Sequence, residues 1–106
     1  KAERRIAEEQ LRQAKLDAEL EVKQLYLILT EAEERMRVSG ETVSQASENV
    51  RLANERYRVG AGTMLETIES AAQLQEAQGN LVDAKCDYLI AKADLLRATG
   101  RPVEVD

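Results

Sequence analysis

The chain has no histidine, no tryptophan and no phenylalanine, and it carries only three tyrosines, one cysteine and one proline. Each shortage excludes something. Without histidine, the commonest general base and metal ligand are gone. The lone cysteine, Cys86, can form neither an internal disulfide nor a CxxC site, and it gives no compartment signal. Apolar residues make up 43% of the chain, yet the large aromatics that fill a compact globular core are missing. No stretch approaches the ~18 apolar residues of a membrane-spanning helix, and no signal peptide opens the chain. Acidic residues number 20 against 15 basic ones, a net charge of −5, with no dense Lys/Arg cluster. A phosphate-neutralising nucleic-acid face is therefore not expected.

What remains is Ala, Leu, Glu, Gln, Arg and Lys, the composition of long helices and coiled coils. At 106 residues the chain holds one domain at most. It opens on Lys1 in a helical pattern rather than on a start methionine, which points to a piece of a longer protein.

From Ala2 to Arg58 there is no proline and a single glycine, Gly40. Apolar or small residues recur at Ala7, Leu11, Ala14, Ala18, Val22, Leu25, Leu29, Ala32, Met36, Ser39, Val43, Ala46, Val50, Ala53 and Tyr57. The steps alternate between three and four, with one irregularity near Ala18, as in a helix wound against a partner. Such a helix would be about 85 Å long, a rod that no monomeric domain of this size needs. A second run, from Thr63 to Thr99, carries two parallel stripes. One reads Leu74, Ala77, Leu81, Ala84, Tyr88, Ala91, Leu95, Ala98; the other reads Val82, Cys86, Leu89, Ala93, Leu96. A two-helix hairpin needs one stripe, so the second predicts a second neighbour.

Between the runs lies "ERYRVGAGTMLE", residues 55–66. Gly60 suits a left-handed C-terminal cap. Thr63 followed by Glu66 forms a capping box, with the hydroxyl taking an orphan amide and the carboxylate reaching back. Gly100 and Pro102 stop the second helix. The expected fold is all-α: a long antiparallel helical hairpin with a helix at about 2–58, a tight turn at about 59–62 and a helix at about 63–99.

A bend there makes the numbers of facing residues sum to about 122, and large then faces small, as close packing demands. Leu81 meets Ser39 and Gly40, Ala84 meets Met36 or Val38, Tyr88 meets Ala32, Ala91 meets Leu29, Ala77 meets Val43 and Leu74 meets Ala46. Gly40 is expected to make room for Leu81; the alternative is that it breaks the helix and gives a three-helix bundle. The seam from Ala7 to Val22 finds no partner in the return helix, and "LYLIL" at residues 25–29 is apolar all round where the pairing runs out. The hairpin reads as one stave of a larger helical assembly, completed by other copies or by further parts of its own chain.

Chemistry finds little foothold. "GAGT" lacks the Lys of a P-loop and the preceding strand of a dinucleotide fold. The carboxylates Glu31, Glu33 and Glu34, and Glu66 and Glu69, could in principle bind ions or do acid–base work. At this density they read as a solvated face with helical partners such as Glu31–Arg35 and Glu33–Arg37. Cys86 reads as a small packing residue. Arg56 and Arg58 either favour the negative end of the first helix or contact a docking protein, for which exposed Arg and Tyr are typical anchors. No nucleophile–base pair, metal set or cofactor site emerges, and an enzyme is not expected.

The segment "RYRVGAGTMLETIESAAQLQEAQGNLVDAKCDYLIAKADLLRATG" resembles the last helical hairpin of the TolC-like outer-membrane efflux proteins. The resemblance rests on Tyr57, Gly60, Gly62-Thr63, Glu66, Ile68-Glu69, Leu74, Ala77, Leu81, Ala84, Asp87-Tyr88, Ala91 and Gly100. Residues 1–55 resemble the long helix that precedes it, with less specific markers. Ser70-Ala71 and Cys86 depart from common family choices without disturbing the spacing. The resemblance implies a homotrimer whose paired helices form a tunnel through the periplasm below an outer-membrane β-barrel, in a Gram-negative cell. Residues 1–106 would be a single hairpin from the periplasmic α-barrel domain. By position, Tyr57, Arg58, Val59, Gly60, Ala61, Gly62 and Thr63 would form a tip that meets a periplasmic adaptor and, through it, an inner-membrane pump. An isolated hairpin with free stripes is expected to self-associate. Two other readings stay open: the coiled-coil hairpin of the adaptor itself, and a generic structural coiled coil.

Overall fold

The computed structural model describes residues 2–100. Pro102, expected to help stop the second helix, and the rest of "RPVEVD" lie outside the described residues. Two helices carry the fold, α1 at Ala2–Arg58 and α2 at Met64–Ala98, running antiparallel as a helical hairpin. The first helix has the expected span. The second starts one residue late, because Thr63 stays outside it as a cap, and stops one residue early at Ala98.

The helix α1 continues through Gly40 without interruption, so the three-helix alternative is out. The packing role expected of Gly40 is also corrected, because a Cβ added there would meet nothing within 4 Å. Gly40 does not make room for Leu81; it is a helix-weakening residue.

The described residues fall into two compact units, Ala32–Tyr88 and a second that joins residues up to Glu31 with those from Leu89 onward. In Ala32–Tyr88 the buried residues are small: Ala32, Ala46, Ala77, Ala84 and Ser70. Between them stand half-buried Met36, Val43, Val50, Leu74, Leu81 and Tyr88. Alanine at the seam lets the helices approach closely, and the longer side chains lie over it and cover it. Met36 is half-buried whereas Val38 is exposed, so Met36 is the seam residue at the level of Ala84. Ser70 stays buried at little cost because its hydroxyl donates to the Thr67 carbonyl at 3.0 Å.

Ion pairs join the helices across this unit. Arg35 Nη1 lies 2.9 Å from Asp87 Oδ2, and Arg56 Nε lies 3.8 Å from Glu66 Oε2. In both pairs the residue numbers add to the total expected from a bend near residue 61. Along α1, Arg37 was expected to pair with Glu33; instead it bridges Glu34 and Glu41, one turn to either side.

In the other unit Ala91 is buried, and Val22, Leu25, Leu29 and Leu95 are half-buried. Residues 2–21 are exposed throughout, including Ile6, Leu11, Leu16 and Leu20. They stay helical through composition and through local pairs such as Arg12–Glu9 at 3.1 Å and Gln13–Asp17 at 3.2 Å. Tyr26, Leu27 and Ile28 are more than half exposed. An open apolar groove of ≈ 500 Å³ lies among Val22, Lys23, Tyr26, Leu27, Leu95 and Thr99.

Candidate functional site

The bend is built by backbone chemistry. Helix α1 ends with Gly60 at φ +80, the left-handed region where a side chain is penalised. The Ala61 amide donates to the Arg56 carbonyl at 2.8 Å, and the Gly60 amide to the Tyr57 carbonyl at 3.1 Å. That is a Schellman termination, which satisfies the last carbonyls of the helix. The Gly62 amide adds a further bond to the Arg56 carbonyl at 3.0 Å. Gly62 is glycine for a different reason. A Cβ there would stand 2.9 Å from Glu66 Oε2 and 3.0 Å from Arg56 Cβ.

Thr63 begins the return. Its hydroxyl accepts from the Glu66 amide at 3.2 Å, the forward half of a capping box. The backward half expected of Glu66 is not formed, since no hydrogen bond from the Thr63 amide to its carboxylate is found among the described residues. The carboxylate turns to Arg56 instead, because a cation across the bend is a stronger partner than a neutral amide.

All seven residues expected at the tip are thus brought together at one end of the Ala32–Tyr88 unit. Val59 is 62% exposed and Tyr57 47%. Arg58, Ala61 and Thr63 are exposed, and Gly62 is half-buried. Of the two arginines left open by the sequence, Arg58 pairs within its own helix with Glu55, while Arg56 faces the bend and donates to the Ala61 carbonyl at 3.2 Å.

A second feature runs along the far side of α2. In the Ala32–Tyr88 unit, exposed Val82 and Cys86 continue backward through Gly79, Gln75, Ala72, Ile68 and Leu65 at steps of three and four. In the other unit the same spacing continues as exposed Leu89 and half-buried Ala93 and Leu96. The part from Leu65 to Gly79 was not singled out from the sequence. The spacing signal was present, but Gln75 and Gly79 dilute the apolar pattern that marks a stripe.

The charges are mostly settled within the helices. The Glu34 carboxyl is held below its ordinary value by the hydrogen bond from Arg37, and Glu48 by the one from Arg51. Among the described residues no group of three or more His, Cys, Asp or Glu could hold a metal ion, and no helix is long and apolar enough to cross a membrane.

The signature of the outer membrane efflux protein family spans residues 1–101. The chain belongs to the outer membrane efflux protein family. The match covers the exposed first part of α1 as well as the bend and the return helix, so membership rests on nearly the whole chain and not on the tip sequence alone. It accounts for the hairpin as part of an outer-membrane efflux protein, and it leaves the adaptor hairpin and the generic coiled coil without support. No curated protein and no solved structure gives a match to the chain.

Proposed function

We propose that this hairpin is a stave of the periplasmic α-helical tunnel in a homotrimeric efflux channel, and that its tip docks a periplasmic adaptor linked to an inner-membrane pump. The observation that carries the reading is the family match over residues 1–101. Two features of the hairpin support it. A tunnel wall needs staves with apolar flanks on more than one side. Residues 2–21 of α1 and the far side of α2 offer such flanks, with Leu11, Leu65, Val82 and Leu89 about 60% exposed. A docking tip needs side chains that the fold does not consume. Val59 and Tyr57 project from a bend whose amides from Val59 to Gly62 are already hydrogen-bonded, so a partner meets a preformed surface and little ordering entropy is lost on contact.

The chemistry of the tunnel is passive. Its contribution to export is shape, a wall and a contact point. The test uses the chain against the isolated helical hairpin domain of a periplasmic adaptor. Val59→Asp places a charge on the exposed tip without touching the bonds of the bend. It is expected to weaken binding at least tenfold, with helix content unchanged. Binding equal to that of the unaltered chain sinks the docking reading.

A further inference from the structure

We propose that Arg56 is a positioning residue that holds the bend in its docking shape through bonds to its own chain, without itself meeting a partner. The inference deepens the docking reading and rests on it for its consequence, though not for its geometry.

Three observations converge on this residue. Its carbonyl receives the amides of both Ala61 and Gly62, at 2.8 Å and 3.0 Å. Its guanidinium donates back to the Ala61 carbonyl at 3.2 Å, so both backbone polar groups of Ala61 are bound by one residue. The same guanidinium lies 3.8 Å from the Glu66 carboxylate on α2, which ties the bend to the first turn of the returning helix. A planar fork with several donors can serve two acceptors on different elements at once.

The position of Gly62 fits the same device. Its missing side chain leaves the space that the Glu66 carboxylate and the Arg56 Cβ occupy at 2.9 Å and 3.0 Å from where a Cβ would stand. A side chain at residue 62 would push Glu66 away from Arg56. Gly60 is needed for its backbone angle, and Gly62 is needed because the bridge between Arg56 and Glu66 passes beside it.

The Arg56 side chain is 58% exposed, but its guanidinium and its carbonyl are both engaged by groups of its own chain. Val59, beside it in the bend, has no such commitments in its side chain and is 62% exposed.

The experiment is residue-resolved amide hydrogen exchange on the 106-residue chain, run in parallel with binding to the isolated adaptor hairpin. Arg56→Ala keeps the carbonyl and removes the guanidinium. Exchange at Ala61 and Gly62 is expected to rise on the order of tenfold, the equivalent of one charge-assisted hydrogen bond. Exchange in mid-helix, around Ala46 and Ala77, should stay unchanged, and affinity should fall. Arg56→Lys, which keeps a cation and a donor, should recover part of both. Unchanged exchange at Ala61 and Gly62 overturns the proposal, and so does a rise spread along both helices, since Arg56 would then be a general stabilising residue. Val59→Asp in the same series reports on docking alone: if it binds normally the docking reading falls, while the exchange data still decide whether Arg56 holds the bend.

Discussion

Arg35 Nη1 donates to Asp87 Oδ2 at 2.9 Å, joining α1 to α2 across 52 positions of sequence. The pair lies at the level that the bend dictates, as does Arg56 with Glu66 nearer the tip. In each, arginine stands on α1 and the acid on α2, so a slip of one heptad would separate both pairs. The Arg35 and Asp87 side chains are about half exposed, at 49% and 54%. Such pairs choose between registers more than they add stability.

The first prediction concerns that register. A double-mutant cycle over Arg35→Ala and Asp87→Ala should give a coupling of about 0.2–1 kcal/mol, read from urea unfolding followed by circular dichroism. A coupling indistinguishable from zero would remove the pair from any role in alignment.

Packing at the seam gives a sharper contrast. Ala84 is 3% exposed, and Ala84→Leu should destabilise the hairpin by about 1–3 kcal/mol through overpacking. Cys86, two residues on, is exposed, and Cys86→Leu should leave the unfolding midpoint of the isolated chain close to its original value. Equal losses from the two substitutions would mean that α2 has been assigned the wrong inner face.

The glycines should separate by position. Gly60→Ala puts a side chain at φ +80 and should cost about 1–2 kcal/mol. Gly40→Ala and Gly79→Ala place a Cβ where nothing lies within 4 Å, and each should add up to ~1 kcal/mol by helix propensity. If Gly40→Ala lowered the stability of the isolated chain, a close contact at that turn would have to exist.

Acid should loosen α1 in a definite direction. Glu34 and Glu48 have folded values below the ordinary one, because Arg37 and Arg51 hydrogen-bond to their charged forms. Their contribution is therefore fully present above the unfolded value of ~4.3 and is lost as pH falls through the lowered folded values. Far-ultraviolet circular dichroism should show helix content falling over that acid range, and Glu34→Gln with Glu48→Gln should flatten the change. A loss of helix centred near neutral pH would contradict this account.

Exposed flanks should also make the chain associate. Sedimentation should show concentration-dependent oligomers, reduced by Leu89→Gln and Leu65→Gln on the far side of α2. A clean monomer at high concentration would count against those flanks as contact surfaces.

Much of this molecule could be read from residue order. The residues of the three-four spacing from Val22 to Ala53 are all buried or half-buried, because a helix turns by a fixed angle per residue and the inner face follows from counting; Gly40 is the one half-buried residue of α1 off that spacing. The return point followed from Gly60 and Thr63, since backbone freedom and an orphan amide are local needs that local residues meet. The family resemblance was carried by particular residues between Tyr57 and Gly100, and the family signature over residues 1–101 established the membership.

Other features were settled only when the two helices came together. The spacing allowed Glu66 to cap its own helix, but the side chain turned to Arg56 because the bend delivered a cation to it. Gly40 and Gly62 are the same residue type in one-dimensional terms. One faces open space and the other sits against Arg56 and Glu66, a difference set by which atoms the fold places nearby. Composition and periodicity determined that there would be two helices and where they would turn; proximity across the turn decided which side chains hold it.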